Sequence, residues 1–149
     1  GEVWRGYQAS KRRYFYGLKI HLKVTADGQP VEFFLSPGSL SDTTALKLYA
    51  FDVPDGATIT GDKAYNDYHY EDLLAETQRQ LVPLRRENSK RPHPPALTYL
   101  MSTARHAIET TGSLIERLQP KHIHSVTTAR FELKAAALLI LACGLSFLA

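Results

Sequence analysis

The stretch from Tyr14 to Thr25, YFYGLKIHLKVT, constrains the chain more than any other. Leu18, Ile20, Leu22 and Val24 alternate with Lys19, His21 and Lys23. That period of two places the apolar set on one face of a half-buried strand and the polar set on the other. The turn signal Ala26-Asp27-Gly28 follows at once, and Pro30 to Leu35 (PVEFFL) forms a second strand. So short a link holds no helix, so the two strands pair antiparallel as a hairpin.

Around this hairpin the chain reads as alternating elements. The opening GEVWRGYQASKR has no period and reads as loop. Pro37-Gly38 closes the hairpin, and Ser41 or Asp42 caps a helix reaching Tyr49. After the Pro54-Asp55-Gly56 turn, Ala57 to Thr60 (ATIT) is a short β-branched strand ending at Gly61-Asp62. A helix is expected from Asp67 to Thr77. Gln80 to Leu84 (QLVPL) suits an edge strand, because Pro83 cannot donate to a ladder. The loop 85–95, RRENSKRPHPP, is polar and proline-ended.

From Ala96 a helix is expected to about Leu118, with Leu97, Leu100, Met101, Ala104, Ile108, Ile115 and Leu118 near one face and Pro120 as its stop. A last helix begins at about Thr127. The result is an α/β chain without internal repeats.

With 149 residues, 44% of them hydrophobic, residues 1–149 suit a single domain with a real core. The formal charge of +3 is too small to argue a polyanionic partner, which must be argued from where the charges sit. The lone Cys143 excludes a disulfide framework and a thiolate zinc site, and fits a reducing, cytoplasmic setting. No signal-peptide pattern opens the sequence, and the start at Gly1 reads as that of a fragment or processed product. Ala135 to Ala149 is apolar throughout, but a membrane span needs about 20 such residues. A buried terminal helix, with no membrane, is expected instead.

Two carboxylates stand out. Asp62 follows an apolar strand, at the end where open α/β sheets build their sites, although a turn or cap aspartate would look the same. Glu109 lies mid-helix on or beside the apolar stripe, where a lone carboxylate is costly unless paired or metal-bound. Arg105, four residues earlier, could simply pair with it.

The strand-borne GDKAY (Gly61 to Tyr65), the hairpin with RRYFYGLKIHL, the helix start SDTTAL, RHAIETTGSLIERL and the tail HSVTTARFELKAAALLILA together resemble the DDE transposases of insertion sequences. The resemblance is to the IS4 superfamily, most nearly its IS982-like group. It covers nearly the whole chain, and its order and spacing are more specific than any one motif. It implies a ribonuclease-H-like (DDE integrase/transposase) α/β fold with C-terminal helices. It also implies metal-dependent cleavage and strand transfer of DNA, with Mg²⁺ or Mn²⁺ as cofactor, and a homo-oligomer acting on transposon ends and target.

By the same resemblance Asp62 is the second acidic residue of the triad and Glu109 the third, both catalytic and metal-binding, with Lys63 and Arg105 near phosphate. Two Mg²⁺ ions can stabilise the attacking and leaving oxygens of an in-line displacement, and carboxylates suffice to hold them. The sequence departs from the family at Ala64, where glycine is usual, at Ser102 in place of tyrosine, and at Glu116 in place of lysine, with Arg117 adjacent. The strand carrying the first aspartate is lacking, and neither Asp27 nor Asp42 suits its role. Impaired activity is therefore expected. The alternatives are a metal-dependent nuclease and a catalytically inactive DNA-binding remnant of a mobile element.

Two basic clusters are candidates for DNA phosphates: Lys11, Arg12 and Arg13, and Arg85, Arg86, Lys90 and Arg91. His21, His69, His93, His106, His122 and His124 are scattered, and Ser41, Ser113 and Ser125 lack triad partners. Tyr7, Tyr14, Tyr16, Tyr65, Tyr68 and Tyr70 read as core or rim packing rather than as stacking platforms.

Overall fold

The structure, a computed structural model, describes residues 2–49, 52–118, 124 and 127–148, with the side chains of all of these except residues 10 and 142–148. The chain forms two compact units, Gly1–His21 with Phe33–Arg105, and Leu22–Glu32 with His106–Ala149.

In the first unit the opening segment is not a loop. Strand β1 (Arg5–Gln8) pairs antiparallel with β2 (Arg13–Tyr16), joined by a 3-10 turn over Ala9–Lys11. The turn ends at Arg12, whose φ of 48° is left-handed. The long strand expected from Tyr14 is cut at Gly17, whose φ of 150° suits only glycine. Gly17 also spends its ladder groups elsewhere: its amide donates to Trp4 O (2.9 Å) and its carbonyl accepts from the Gly38 amide (2.9 Å).

The expected hairpin is present, as β3 (Leu18–Val24) with β4 (Pro30–Pro37). Its faces differ from the alternation at the centre. Ile20 is exposed, whereas His21, on the polar set, is buried with Ser36. A histidine tolerates this because both ring nitrogens find partners and its ring stacks on Phe34, 4.4 Å between centroids.

Ser41 is the cap of helix α1 (Asp42–Tyr49), its Oγ accepting from the Thr44 amide at 3.2 Å. Strand β5 (Thr58–Gly61) and β6 (Gln80–Pro83) pair parallel, with α2 (Tyr68–Glu76) as the crossover between them. Asp67 caps α2 by accepting from the Tyr70 amide at 3.1 Å. Pro83 sits buried opposite Gly61, and the ladder resumes beyond it through the Leu84 amide to Gly61 O, 2.9 Å. Leu46, Val53, Leu81, Leu84 and Met101 supply buried apolar side chains in this unit. The described strands thus form three two-stranded sheets within a mixed α/β chain.

Helix α3 (Pro95–Leu118) contributes its first part to this unit and the remainder to the second. Of its expected stripe, Met101 and Ile115 are buried, but Leu100 and Leu118 are exposed. In the second unit, buried Thr111 donates to Gly28 O (2.6 Å) at the hairpin tip, where Gly28 has a φ of 88°. Helix α4 (Thr128–Leu148) buries Ala135 and Leu139 yet exposes Leu133, Ile140 and Leu141, so it is not the fully buried helix its composition suggests. Among the described residues, no helix is long and apolar enough to cross a membrane. Pro120 lies outside the described residues.

Candidate functional site

The residue after β5 is Asp62, in extended backbone (φ −73°, ψ 168°), and its carboxylate caps the single 3-10 turn Lys63–Tyr65 by accepting from the Lys63 amide at 2.7 Å. The Arg105 guanidinium of α3 approaches the same oxygen at 3.8 Å, with both side chains about half exposed. Asp62, Lys63 and Arg105 thus lie close together in one unit. Lys63 is exposed and leaves its charge in solvent.

The turn that carries Asp62 is held on several sides. The Tyr65 amide donates to Asp62 O at 3.0 Å. The Asn66 side-chain amide donates to Lys63 O (2.8 Å) and to Leu84 O (2.6 Å), tying the turn to the end of β6. The Tyr65 hydroxyl meets His21 Nδ1 at 2.9 Å, and His21 Nε2 meets Ser36 Oγ at 2.9 Å. A side chain at Gly61 would press on the Tyr65 ring, 3.2 Å from Cδ2, so the glycine lets that ring fold back along the strand.

Burial pushes the Tyr65 phenol well above its ordinary range, and the charges of Asp42 and Asp62 add to this. Burial lowers His21, with Asp42 opposing and Lys19 assisting. Both groups are therefore neutral near pH 7. Sequence reasoning missed this network: a histidine alternating with lysines carries no mark of burial, and the only available hint was the tyrosine three residues after Asp62.

Glu109 belongs to the second unit, where it is about half exposed and His106 Nδ1 lies 3.7 Å from its carboxylate. Asp42 pairs with Lys19 at 3.2 Å, and Asp27 accepts from the Thr25 hydroxyl within the hairpin turn. Among the described residues, no three His, Cys, Asp or Glu side chains are gathered as a metal cluster. Asp62 by itself presents the carboxylate oxygen type that a hard divalent cation such as Mg²⁺ prefers. His93 instead meets Pro83 O at 2.9 Å, and the His124 carbonyl accepts from Lys134 at 2.6 Å. His122, Ser125 and the side chain of Cys143 lie outside the described residues.

The two basic clusters differ. Lys11, Arg12 and Arg13 are all exposed at the β1–β2 connection. In the second cluster, Arg85 is largely buried, with side-chain exposures of 10% for it and 9% for Glu71. The two make a bidentate pair, 2.6 Å at each bond. Arg85 also donates to Asn66 Oδ1 at 2.9 Å and lies over the Tyr68 ring. Arg91 makes a second bidentate pair, to Asp72 at 2.7 and 3.0 Å, which lowers the Asp72 carboxyl. The Tyr68 hydroxyl meets Ser89 Oγ at 2.6 Å and accepts from the Lys90 amide at 3.1 Å. Arg85 and Arg91 therefore shape the loop against α2, while Arg86 and Lys90 face solvent.

Searches of curated proteins and of solved structures gave no match to the chain. The family model described as transposase DDE domain matches residues 1–143, taking in the capped Asp62, the α3 residues and both basic clusters. On that match, which spans nearly the whole chain, the protein belongs to the transposase DDE domain family.

Proposed function

We propose that the chain cleaves DNA phosphodiesters and transfers them to target DNA in a divalent-metal-dependent reaction, on the ribonuclease-H-like scaffold of IS982-type transposases in the IS4 superfamily. The observation that carries the reading is Asp62. It is the first residue after β5, half exposed, fixed by the Lys63 amide and faced by the Arg105 guanidinium at 3.8 Å, in a chain of the transposase DDE family.

Asp62 and Glu109 would hold Mg²⁺ or Mn²⁺, the oxygen donors such ions prefer. When bound, these ions stabilise the attacking and leaving oxygens of an in-line displacement. Arg105 offers a planar fork of donors beside Asp62, suited to a phosphate and less so to a point charge. Lys63, Lys11, Arg12, Arg13, Arg86 and Lys90 present charge to the DNA backbone, which positions a duplex without reading its sequence. Arg85 and Arg91 act indirectly, by holding the loop that carries Arg86 and Lys90. A homo-oligomer would bring two DNA ends together.

The test is incubation with supercoiled plasmid and Mg²⁺, followed by an assay for joining of donor ends to target. Nicking and joining, both lost in Asp62→Asn and Glu109→Gln, support the reading. Nicking without joining would make the chain a nuclease. DNA binding with neither reaction would overturn the catalytic reading in favour of an inactive DNA-binding remnant.

A further inference from the structure

We propose that the exposed face of the β1–β2 hairpin, with the groove beside it, binds an unpaired stretch of DNA by stacking bases on Tyr7, Tyr14 and Tyr16. The proposal rests on the DNA-acting reading above, and adds to it a site for single-stranded rather than duplex DNA.

The strand register sets the face. Arg5 pairs with Tyr16 and Tyr7 with Tyr14, so these four residues share one side, while Gly6, Phe15, Gln8 and Arg13 share the other. All three tyrosines are exposed, at 53%, 61% and 72% for Tyr7, Tyr14 and Tyr16. Aromatic rings of this size normally bury most of their area, so three on one small sheet face mark a binding surface.

The opposite side cannot exchange with it. Gly6 is buried there, and a side chain at that position would run into Gly38 O and the Phe15 ring. The hairpin is therefore seated by its Gly6–Phe15 side and has only the tyrosine side to offer.

Two of the rings form a tilted pair. Tyr7 and Tyr14 lie 5.1 Å apart at 56°, and the Arg5 guanidinium sits 4.1 Å above the Tyr14 ring. Beside them opens a groove of about 470 Å³ whose lining includes Glu2 as well as Arg5, Tyr7, Tyr14, Lys19 and Ser39. That volume falls within the roughly 300–1,000 Å³ of small-ligand sites, enough for a nucleotide. The Lys19 ammonium is already committed to Leu40 O (2.7 Å) and Asp42, so Arg5 is the cation placed to meet a phosphate.

Charge selects the occupant. Lys11 and Arg12 are exposed on the connection between the two strands, and Arg13 is exposed where β2 begins, so the hairpin pairs an aromatic face with a cationic end. That combination fits a polyanion carrying flat, accessible rings. A duplex keeps its bases stacked inside and could use only the cations. An unpaired strand can use both, since every base has a π-face.

The experiment is fluorescence anisotropy of the whole chain with a short labelled oligothymidylate and with a duplex of equal length, over a series of salt concentrations. The single strand should bind more tightly than the duplex. Tyr7→Ala and Tyr14→Ala should each weaken single-strand binding about tenfold. Tyr14→Phe should retain it, because the ring and not the hydroxyl is used. Arg5→Gln should reduce the salt slope by about one. These side chains are exposed, so folding should be intact, and circular dichroism on the same samples checks it.

Equal single-strand affinity in the parent and the Tyr7→Ala/Tyr14→Ala double variant would overturn the proposal, as would a preference for duplex. The same samples are assayed for plasmid nicking. Tyrosine-dependent single-strand binding without nicking retains this site and removes the catalytic reading. Nicking with tyrosine-independent binding does the reverse.

Discussion

The Tyr65 hydroxyl lies 2.9 Å from His21 Nδ1, which links the turn carrying Asp62 to the middle of the β3–β4 hairpin. A neutral imidazole has one donor and one acceptor nitrogen, and here the two face hydroxyls of Tyr65 and Ser36. Removing either hydroxyl leaves a buried ring nitrogen without its partner. Tyr65→Phe should therefore cost about 1–3 kcal/mol of stability, read from urea unfolding. A change near zero would mean that water replaces the hydroxyl.

The same histidine should make folding pH-dependent. Burial holds its pKa below the ordinary 6.5, so between those two values the unfolded chain binds a proton that the folded chain does not. Stability is then fully present above pH 6.5 and falls as the pH drops towards the lowered value. The urea midpoint, compared above and below pH 6.5, should fall more steeply on acidification in the parent than in His21→Gln. Identical profiles would remove His21 as the source.

Arg85 and its neighbour Arg86 should separate sharply. Arg85→Ala strands the buried Glu71 carboxylate, a loss of about 3–5 kcal/mol for breaking a buried pair. Arg86→Ala, at an exposed position, should stay within about 0.5 kcal/mol. Thermal unfolding of the two variants decides this. Arg86→Ala should instead show its effect as weaker DNA binding.

At Asp62, capping and chemistry can be pulled apart. Asparagine also accepts the Lys63 amide, so Asp62→Asn should keep the stability of the parent while losing metal-dependent nicking. Asp62→Ala should lose nicking and also about 1 kcal/mol of stability. If Asp62→Asn nicks as well as the parent, the carboxylate does no chemistry.

Local signals predicted local structure well and tertiary choices poorly. The turn at Ala26-Asp27-Gly28 fixes the hairpin, and Ser41 and Asp67 announce their helices, because turns and caps depend on a few adjacent residues. The break at Gly17 was missed because it depends on Trp4 and Gly38, which are remote in sequence. Burial of His21 rather than Ile20 was missed for the same reason: its partners Ser36 and Tyr65 lie far along the chain. At the site, Asp62 and Arg105 were legible as motif residues that the fold brings to 3.8 Å. The tyrosines of β1 and β2 looked like packing until the strand pairing set them all on one exposed face.

Parallel pairing of β5 and β6 sends both strands out at the same end, so the turn bearing Asp62 and the loop starting at Arg85 leave the sheet side by side. Arg85 and Arg91 fasten that loop to α2 at two points, through Glu71 and Asp72. Arg85 also donates to Asn66, which ties the Asp62 turn to the end of β6, so the first fastener anchors the loop and the turn together. The charges of Arg86 and Lys90, exposed between the fasteners, can therefore be exchanged by mutation over evolutionary time without breaking either ion pair.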